Sequence, residues 1–282
     1  MSLYNKYKSI IDNFISNDIN NINNYNVKDP LISIIILYSL DKNFELNNKD
    51  NNKNRGKIPK LTLKEDNDNF IEKTINPLKH INNKIITLSL LIESVITLIK
   101  DYTINIYDEL HYIQKLMKYN QLIINIYSEI VRFINENNFY NFNIKGKCYN
   151  GFLIINNTFD ILNDNILKSN ISIITYYQTL FEMSFLLIWN LIDNNIDNMI
   201  NYKLTGNYLG ILYKIYIDID EQDNLDVNLN MFKLNDPREL MDYYMKYQEY
   251  FLNYILKIKL FDNEELIDEI LNHLGNNINL IS

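Results

Sequence analysis

The sequence is short of several residue types, and each shortage excludes a class of function. It contains no alanine, one cysteine (Cys148) and only three arginines, Arg55, Arg132 and Arg238. A single cysteine excludes a disulfide framework and a cysteine-based metal site. The 6 glycines are dispersed along the chain, so they do not form a glycine-rich phosphate-binding loop. Residues 1–10 lack the apolar core of a secretory signal, and we therefore expect a cytoplasmic protein.

The charge balance is acidic. The chain carries 27 lysines and arginines against 35 aspartates and glutamates, a formal net charge of −8. Binding to a phosphate backbone needs a basic surface, so nucleic acid is not an expected partner. The segment Ile171–Ile192 is mostly apolar and long enough to span a membrane. Gln178 and Glu182 lie in its middle, where a carboxylate is strongly unfavourable in lipid. A buried core helix is predicted there, and no membrane association is expected.

Apolar side chains recur at spacings of three and four along much of the chain, which is typical of amphipathic helices. Helices are predicted at Leu3–Ser16, Pro30–Phe44, Asp68–Lys79, Lys84–Met117, Tyr119–Glu136, Lys147–Leu162, Ile171–Ile192, Met199–Ile219, Pro237–Lys259 and Asn263–Leu274. Asp236 before Pro237 is a typical start signal. The sequence predicts an all-α fold of about nine or ten antiparallel helices in a single domain, residues 1–282. The polar segment Leu46–Glu65 is predicted to be a mobile linker within it.

The usual catalytic and metal-binding patterns are missing. His80, His111 and His273 are far apart in sequence and lack the His-Glu-x-x-His spacing of a zinc site. The acidic segment Asp218–Asp226 lacks the glycine that a calcium loop needs for its turn. No serine or cysteine stands in a nucleophile-elbow context. Glu109 and His111 could pair, as could Asp268 and His273, but each is an ordinary surface combination. We therefore expect a non-enzymatic protein with no cofactor and no metal site.

Four segments carry the most informative pattern. Residues 88–93 read Leu-Ser-Leu-Leu-Ile-Glu, and residues 144–152 read Ile-Lys-Gly-Lys-Cys-Tyr-Asn-Gly-Phe. Residues 177–184 read Tyr-Gln-Thr-Leu-Phe-Glu-Met-Ser, and residues 204–215 read Leu-Thr-Gly-Asn-Tyr-Leu-Gly-Ile-Leu-Tyr-Lys-Ile. In this order the segments resemble the third, fifth, sixth and seventh helices of the 14-3-3 family of phosphopeptide-binding adaptors. The resemblance implies a dimeric helical array, each subunit with a concave groove that holds a phosphorylated peptide.

The resemblance also implies which residues line the groove: Glu93, Lys100, Asn150, Gly151, Asn207 and Lys214. Family members hold the phosphate with a lysine, two arginines and a tyrosine. Here a glutamate stands at the lysine position, and Asn150 and Gly151 replace an Arg-Tyr pair, while Lys100 keeps the charge of an arginine. Asn207 matches an asparagine that holds the peptide backbone, and Lys214 replaces a glutamate. The implied protein is an adaptor for a protein or peptide ligand, phosphorylated or not, with a degraded phosphoserine pocket.

Other interpretations stay open. Residues 209–213 read Leu-Gly-Ile-Leu-Tyr, the Leu-Gly-x-x-Tyr spacing of a tetratricopeptide (TPR) unit, so an unrelated TPR-like or bundle scaffold is the alternative. An enzyme or nucleic-acid binder is a third, weaker reading. Glu93 and Lys100 also suit a solvated charged face, and Asn207 suits an incidental position in an Asn-rich chain. The apolar segment Pro30–Leu40 has to be core or interface, and a homodimer is expected on that ground.

Overall fold

The computed structural model describes residues 2–17, 27, 29–50, 72–104, 170–193, 195–220, 230–231, 236–258, 261 and 264–275, with isolated positions between 114 and 130. These residues are mostly helical and contain no strand, which confirms the all-α prediction. The α-helices with defined bounds in this part of the chain are α1 (Leu3–Asn17), α2 (Leu31–Asp50), α3 (Glu72–Ile104), α4 (Asn170–Ile188), α5 (Met199–Asp220), α6 (Pro237–Ile255) and α7 (Glu264–Gly275). A π-helical turn, Trp189–Asp193, and a 3-10 turn, Ile196–Asn198, join α4 to α5.

Within the described residues, most predicted helix boundaries lie close to the observed ones, and the start signal at Asp236 is confirmed. Its side chain accepts a 2.8 Å hydrogen bond from the backbone N–H of Arg238. The predicted helix Lys147–Leu162 and most of Tyr119–Glu136 lie outside these residues, so the predicted count of nine or ten helices is not tested.

Two differences occur. Residues 80–83, where a break between two helices was predicted, are helical and belong to α3. They contain neither proline nor glycine. Helix α2 continues to Asp50, so the predicted linker begins as helix, and residues 51–65 lie outside the described part.

Helix α2 forms the centre of the core. Every side chain from Leu31 to Leu40 is buried. Helices α1, α3 and α4 all pack against α2 and cover its sides. The apolar segment that had to be core or interface is therefore core within one chain. This removes the apolar segment as a ground for the homodimer, and the dimer that the resemblance implies stays an untested prediction.

Helices α4 and α5 make the closest contact in the described structure, and two glycines allow it. A Cβ atom on Gly206 would lie 2.6 Å from the carbonyl oxygen of Phe181, and one on Gly210 would lie 2.7 Å from that of Tyr177. These neighbours are backbone atoms, which cannot turn aside as a flexible side chain can. Because Gly206 meets Phe181 while Gly210 meets the earlier Tyr177, the two helices run antiparallel.

Helix α7 closes a ring of helix contacts. It packs against both α5 and α1, while α1 packs on α2, α2 on α4, and α4 on α5. The Glu269 carboxylate accepts hydrogen bonds from the backbone N–H groups of Leu3 (3.1 Å) and Tyr4 (2.6 Å). The N–H groups of a first helical turn have no partner within their helix, so a distant carboxylate here caps α1.

Candidate functional site

Glu93, expected to face the ligand, is buried and caps another helix. Its side chain is 2% exposed. Its carboxylate accepts a 2.9 Å hydrogen bond from the backbone N–H of Ser33 and a 2.7 Å hydrogen bond from the Ser33 hydroxyl, in the first turn of α2. Burial raises the pKa of Glu93 well above its usual value, although the bonds from Ser33 oppose this. The described contacts therefore place Glu93 in the core and not on a solvated charged face.

Lys214 is also buried, and its partner is on its own helix. The ammonium group is 2% exposed and pairs with Asp218, one helical turn further on. The backbone N–H of Met231 donates a 3.0 Å hydrogen bond to the same carboxylate, and the Asn230 amide donates to the Asp218 carbonyl at 3.1 Å. Burial lowers the pKa of Lys214 and raises the pKa of Asp218. This pair attaches residues 230–231 to α5, and the Lys214 ammonium is directed to Asp218.

Lys100 and Asn207 are held by neighbouring side chains too. The Lys100 ammonium lies 3.5 Å from the Asp220 carboxylate. The Asn207 carbonyl oxygen accepts a 2.9 Å hydrogen bond from Gln178 across the α4–α5 contact. Asn150 and Gly151 lie outside the described residues. Each predicted groove lysine thus pairs with an aspartate on α5, and within the described residues these contacts do not assemble a convergent phosphate site.

The polar groups beside Asn207 form a small charged cluster. Glu182 accepts from the Lys203 ammonium at 3.2 Å and from the Asn207 amide at 3.5 Å. Burial raises the pKa of Glu182, and the nearby Lys203 charge works in the opposite direction. Glu182 and Gln178 were the polar residues that argued against a membrane helix, and both now have partners on α5. Gln178 and Glu182 therefore place polar groups at the edge of the α4–α5 contact, next to Tyr208.

A second polar cluster, around Asp29, joins three helices. Its carboxylate accepts from the Tyr4 hydroxyl at 2.7 Å and from Nε2 of His273 at 3.0 Å, and the Tyr213 hydroxyl bonds to it as well. The His273 ring lies 5.1 Å from the ring of Tyr4 and 5.4 Å from that of Tyr216. His273 therefore pairs with Asp29 and not with Asp268, the partner that its sequence neighbourhood offered.

The environment of this pair favours its charged form. The hydrogen bond to Asp29 raises the pKa of His273, and burial only partly opposes it. Burial tends to raise the pKa of Asp29, but the hydrogen bonds from His273 and Tyr4 and the His273 charge outweigh it and lower that pKa. Asp29 has no signal in the sequence, since it lies 244 residues from its histidine partner. The cluster holds α1, α5 and α7 together.

A row of tyrosines forms the most distinctive surface of the described structure. We name it the tyrosine face: Tyr208 of α5 with Tyr243, Tyr247, Tyr250 and Tyr254 of α6. The Tyr208 ring lies 6.1, 5.2 and 5.8 Å from the rings of Tyr247, Tyr250 and Tyr254, and Tyr243 stacks on Tyr247 at 6.3 Å. Tyr243 is 42% exposed and Tyr250 is 36% exposed. The rings therefore support one another while presenting aromatic area to solvent.

Tyr243, Tyr247, Tyr250 and Tyr254 recur at spacings of three and four, the pattern of an apolar stripe, within the helix predicted at Pro237–Lys259. The structure buries Leu240, Tyr244, Phe251 and Ile255 instead, a neighbouring stripe of α6. Two stripes at helical spacing lie side by side on this helix, and only one can face the core. Tyrosine carries a hydroxyl and tolerates water, so its stripe is the one left at the edge. Two adjacent stripes in one helix were the signal that would have found this surface.

No significant relative shows the Glu93 cap, the buried Lys214–Asp218 pair or the tyrosine face. No protein family, no characterised protein and no solved structure matches this chain significantly. The resemblance to the 14-3-3 family thus stays a prediction from the quoted residues. Within the described ranges, no group of three or more His, Cys, Asp or Glu side chains could hold a metal ion. No helix in that part of the chain has the length and apolar character to cross a membrane.

Proposed function

We propose that this chain is a non-enzymatic scaffold that binds a segment of another protein, and that the tyrosine face is its contact surface. The observation that carries the proposal is the row of mutually packed tyrosines with exposed rings. Tyrosine combines a large contact area with few rotatable bonds and a polar end, so it is enriched in protein interfaces. Rings already fixed by their neighbours lose little freedom on binding, which favours affinity.

From the sequence resemblance we also propose that the helices form a 14-3-3-like array with a concave groove. We do not propose that the chain recognises phosphate. A phosphate dianion needs several convergent donors, whereas Lys100 pairs with Asp220 and Lys214 with Asp218. Glu93 at the family's lysine position serves as a helix cap. We therefore expect no preference for a phosphorylated peptide over its unphosphorylated form.

The experiment is a selection of displayed random peptides against the purified chain, followed by titration of the selected peptides. The test variant is Tyr243→Ser with Tyr250→Ser, which removes the two most exposed rings of the face. We expect the selected peptides to bind the wild-type chain and to lose about tenfold or more in affinity on the variant, as central aromatic contacts do. Circular dichroism of both proteins checks that the variant is folded.

A matched control uses two exposed side chains of α6 on another side of the helix. Asp242 and Glu249 are both exposed, and the change Asp242→Ser with Glu249→Ser alters the same helix without removing a ring. Selected peptides that bind the tyrosine variant as tightly as wild type would show that another surface binds them. A selection that yields no specific peptide at all contradicts the proposal.

A further inference from the structure

The tyrosine face already holds positive charge. The Lys257 ammonium lies over the Tyr254 ring, 4.5 Å from its centre, and the Lys246 ammonium lies 5.8 Å from the centre of the Tyr250 ring. A cation within about 6 Å of an aromatic ring centre is attracted by the negative face of the ring. The chain thus occupies two rings of the face with its own cations, and both cations are on flexible, exposed side chains.

One acidic side chain lies on the same side of α6 as these rings. Glu239 is exposed one helical turn before Tyr243. Glu182 lies within 3.5 Å of Asn207, the neighbour of Tyr208 in sequence, and pairs with Lys203 at 3.2 Å. The chain as a whole has a formal net charge of −8. Aromatic rings that already attract ammonium groups, on a chain of negative net charge, form a surface suited to a cationic ligand.

We propose that the tyrosine face takes an arginine-bearing peptide segment, which displaces Lys246 and Lys257 from the rings. The inference rests on the proposed function and adds the chemistry of the partner. Arginine fits better than lysine because its planar guanidinium stacks on a ring and its fork of N–H groups also reaches a carboxylate. Tyr208, Tyr247 and Tyr250 offer neighbouring rings along the stripe, so successive arginines find successive contacts.

The test measures fluorescence anisotropy of a short labelled peptide of alternating arginine and serine. Replacing Lys246 and Lys257 by glutamine frees the rings, and we expect the affinity to rise about two- to fivefold. The charge-matched control replaces the exposed Lys115 and Lys118 by glutamine. It changes the net charge equally without touching the face, so its gain should be smaller. A gain of equal size in both variants would mean that overall charge alone drives binding, and the proposal fails.

A second pair of variants separates ring chemistry from burial of apolar area. Tyr243→Leu with Tyr250→Leu removes the rings and should weaken the arginine peptide about fivefold, while the phenylalanine pair should stay within about twofold of wild type. A lysine–serine peptide should bind more weakly than the arginine peptide. Preferred binding of a glutamate–serine peptide or of oligothymidylate overturns the inference. If displayed peptides without arginine bind the face and the arginine peptide does not, this inference fails while the proposed function stands.

Discussion

The Glu93 carboxylate lies 2.7 Å from the Ser33 hydroxyl, and this contact connects α3 to the first turn of α2. The Ser33 hydroxyl oxygen also lies 3.0 Å from the Ser89 hydroxyl oxygen, so Ser33 contacts two positions of α3. A negative or hydrogen-bonding group at a helix N-terminus satisfies N–H groups that have no other partner. Glu93 therefore fixes the first turn of α2, in which residues 31–40 are all buried.

Replacing Glu93 should separate its capping role from a ligand-binding role. Glu93→Gln keeps an oxygen acceptor for Ser33, and because the pKa of Glu93 is raised, a neutral side chain is well tolerated there. We expect a loss of about 1 kcal/mol or less in the free energy of unfolding. Glu93→Lys places an unpaired ammonium in the core at the positive end of α2, and should cost about 3 kcal/mol or more.

Urea denaturation of the three proteins measures both changes. The lysine variant is also the change that would restore a phosphate donor in the 14-3-3 reading. If it is as stable as wild type and gains phosphopeptide binding, then Glu93 faces the groove and the capping role is wrong.

The His273–Asp29 pair should make stability depend on pH. The pKa of His273 is raised above 6.5, so its stabilising effect is fully present below pH 6.5 and is lost as the pH rises through the higher folded value. The pKa of Asp29 is lowered below 3.8, so its effect is present above pH 3.8 and is lost as the pH falls through the folded value. The pair therefore stabilises the fold most between these two limits.

The comparison uses wild type and His273→Gln, unfolded with urea at a series of pH values. Wild type should exceed the variant by about 1 kcal/mol at pH 5.5, as for a partly exposed ion pair, and the difference should shrink towards pH 8. Asp29→Asn should remove the same pH dependence. Parallel stability curves for wild type and His273→Gln would contradict the assignment.

The α4–α5 contact should not tolerate a side chain on Gly206. Alanine favours a helix over glycine by about 1 kcal/mol, but its Cβ would lie 2.6 Å from a backbone oxygen of α4. Overpacking against backbone outweighs the gain, and we expect a net loss of about 2 kcal/mol in the free energy of unfolding. Gly275→Ala is the control, because its Cβ would meet only the Tyr244 hydroxyl at 3.4 Å. A Gly206→Ala protein more stable than wild type would show that the helices can separate freely.

The cap on α1 predicts a difference between neighbouring acidic residues of α7. Glu269→Gln weakens the bonds from Leu3 and Tyr4 and should cost about 1 kcal/mol, the usual value of a helix cap. Asp268 is exposed, and Asp268→Asn should change stability by less than about 0.5 kcal/mol while removing the same charge. Equal effects of the two changes in thermal unfolding would exclude the cap.

Two carboxylate caps show how far sequence reasoning reaches in this protein. Asp236 caps α6 from the position next to Pro237, and the local pattern identified it. Glu93 caps α2 from 60 residues away, and no local pattern indicates which helix it meets. Helix positions follow from spacing within a segment, so their prediction was largely correct. Pairings between helices depend on the three-dimensional packing, which spacing does not encode.

Because spacing does not encode packing, it also failed to show that the predicted groove lysines are paired with aspartates. Lys214 and Asn207 share a helical face, as their spacing of seven implies, but the face of Lys214 points into the core. A polar side chain can be buried wherever a partner such as Asp218 neutralises it. The tyrosine stripe shows the opposite case, since an apolar pattern marked an edge and not the core. Residue type and spacing together did not suffice to predict which face of a helix is buried in the core and which lies at the surface.

The cap that α7 places on α1 also sets an order on the formation of the fold. Leu3 and its acceptor Glu269 are separated by 266 residues. Contacts between such distant positions form late, because the intervening chain has to be arranged first. During synthesis the amide groups of Leu3 and Tyr4 lack the Glu269 carboxylate until the ribosome has produced α7. Helix α1 is thus translated long before the residue that caps it.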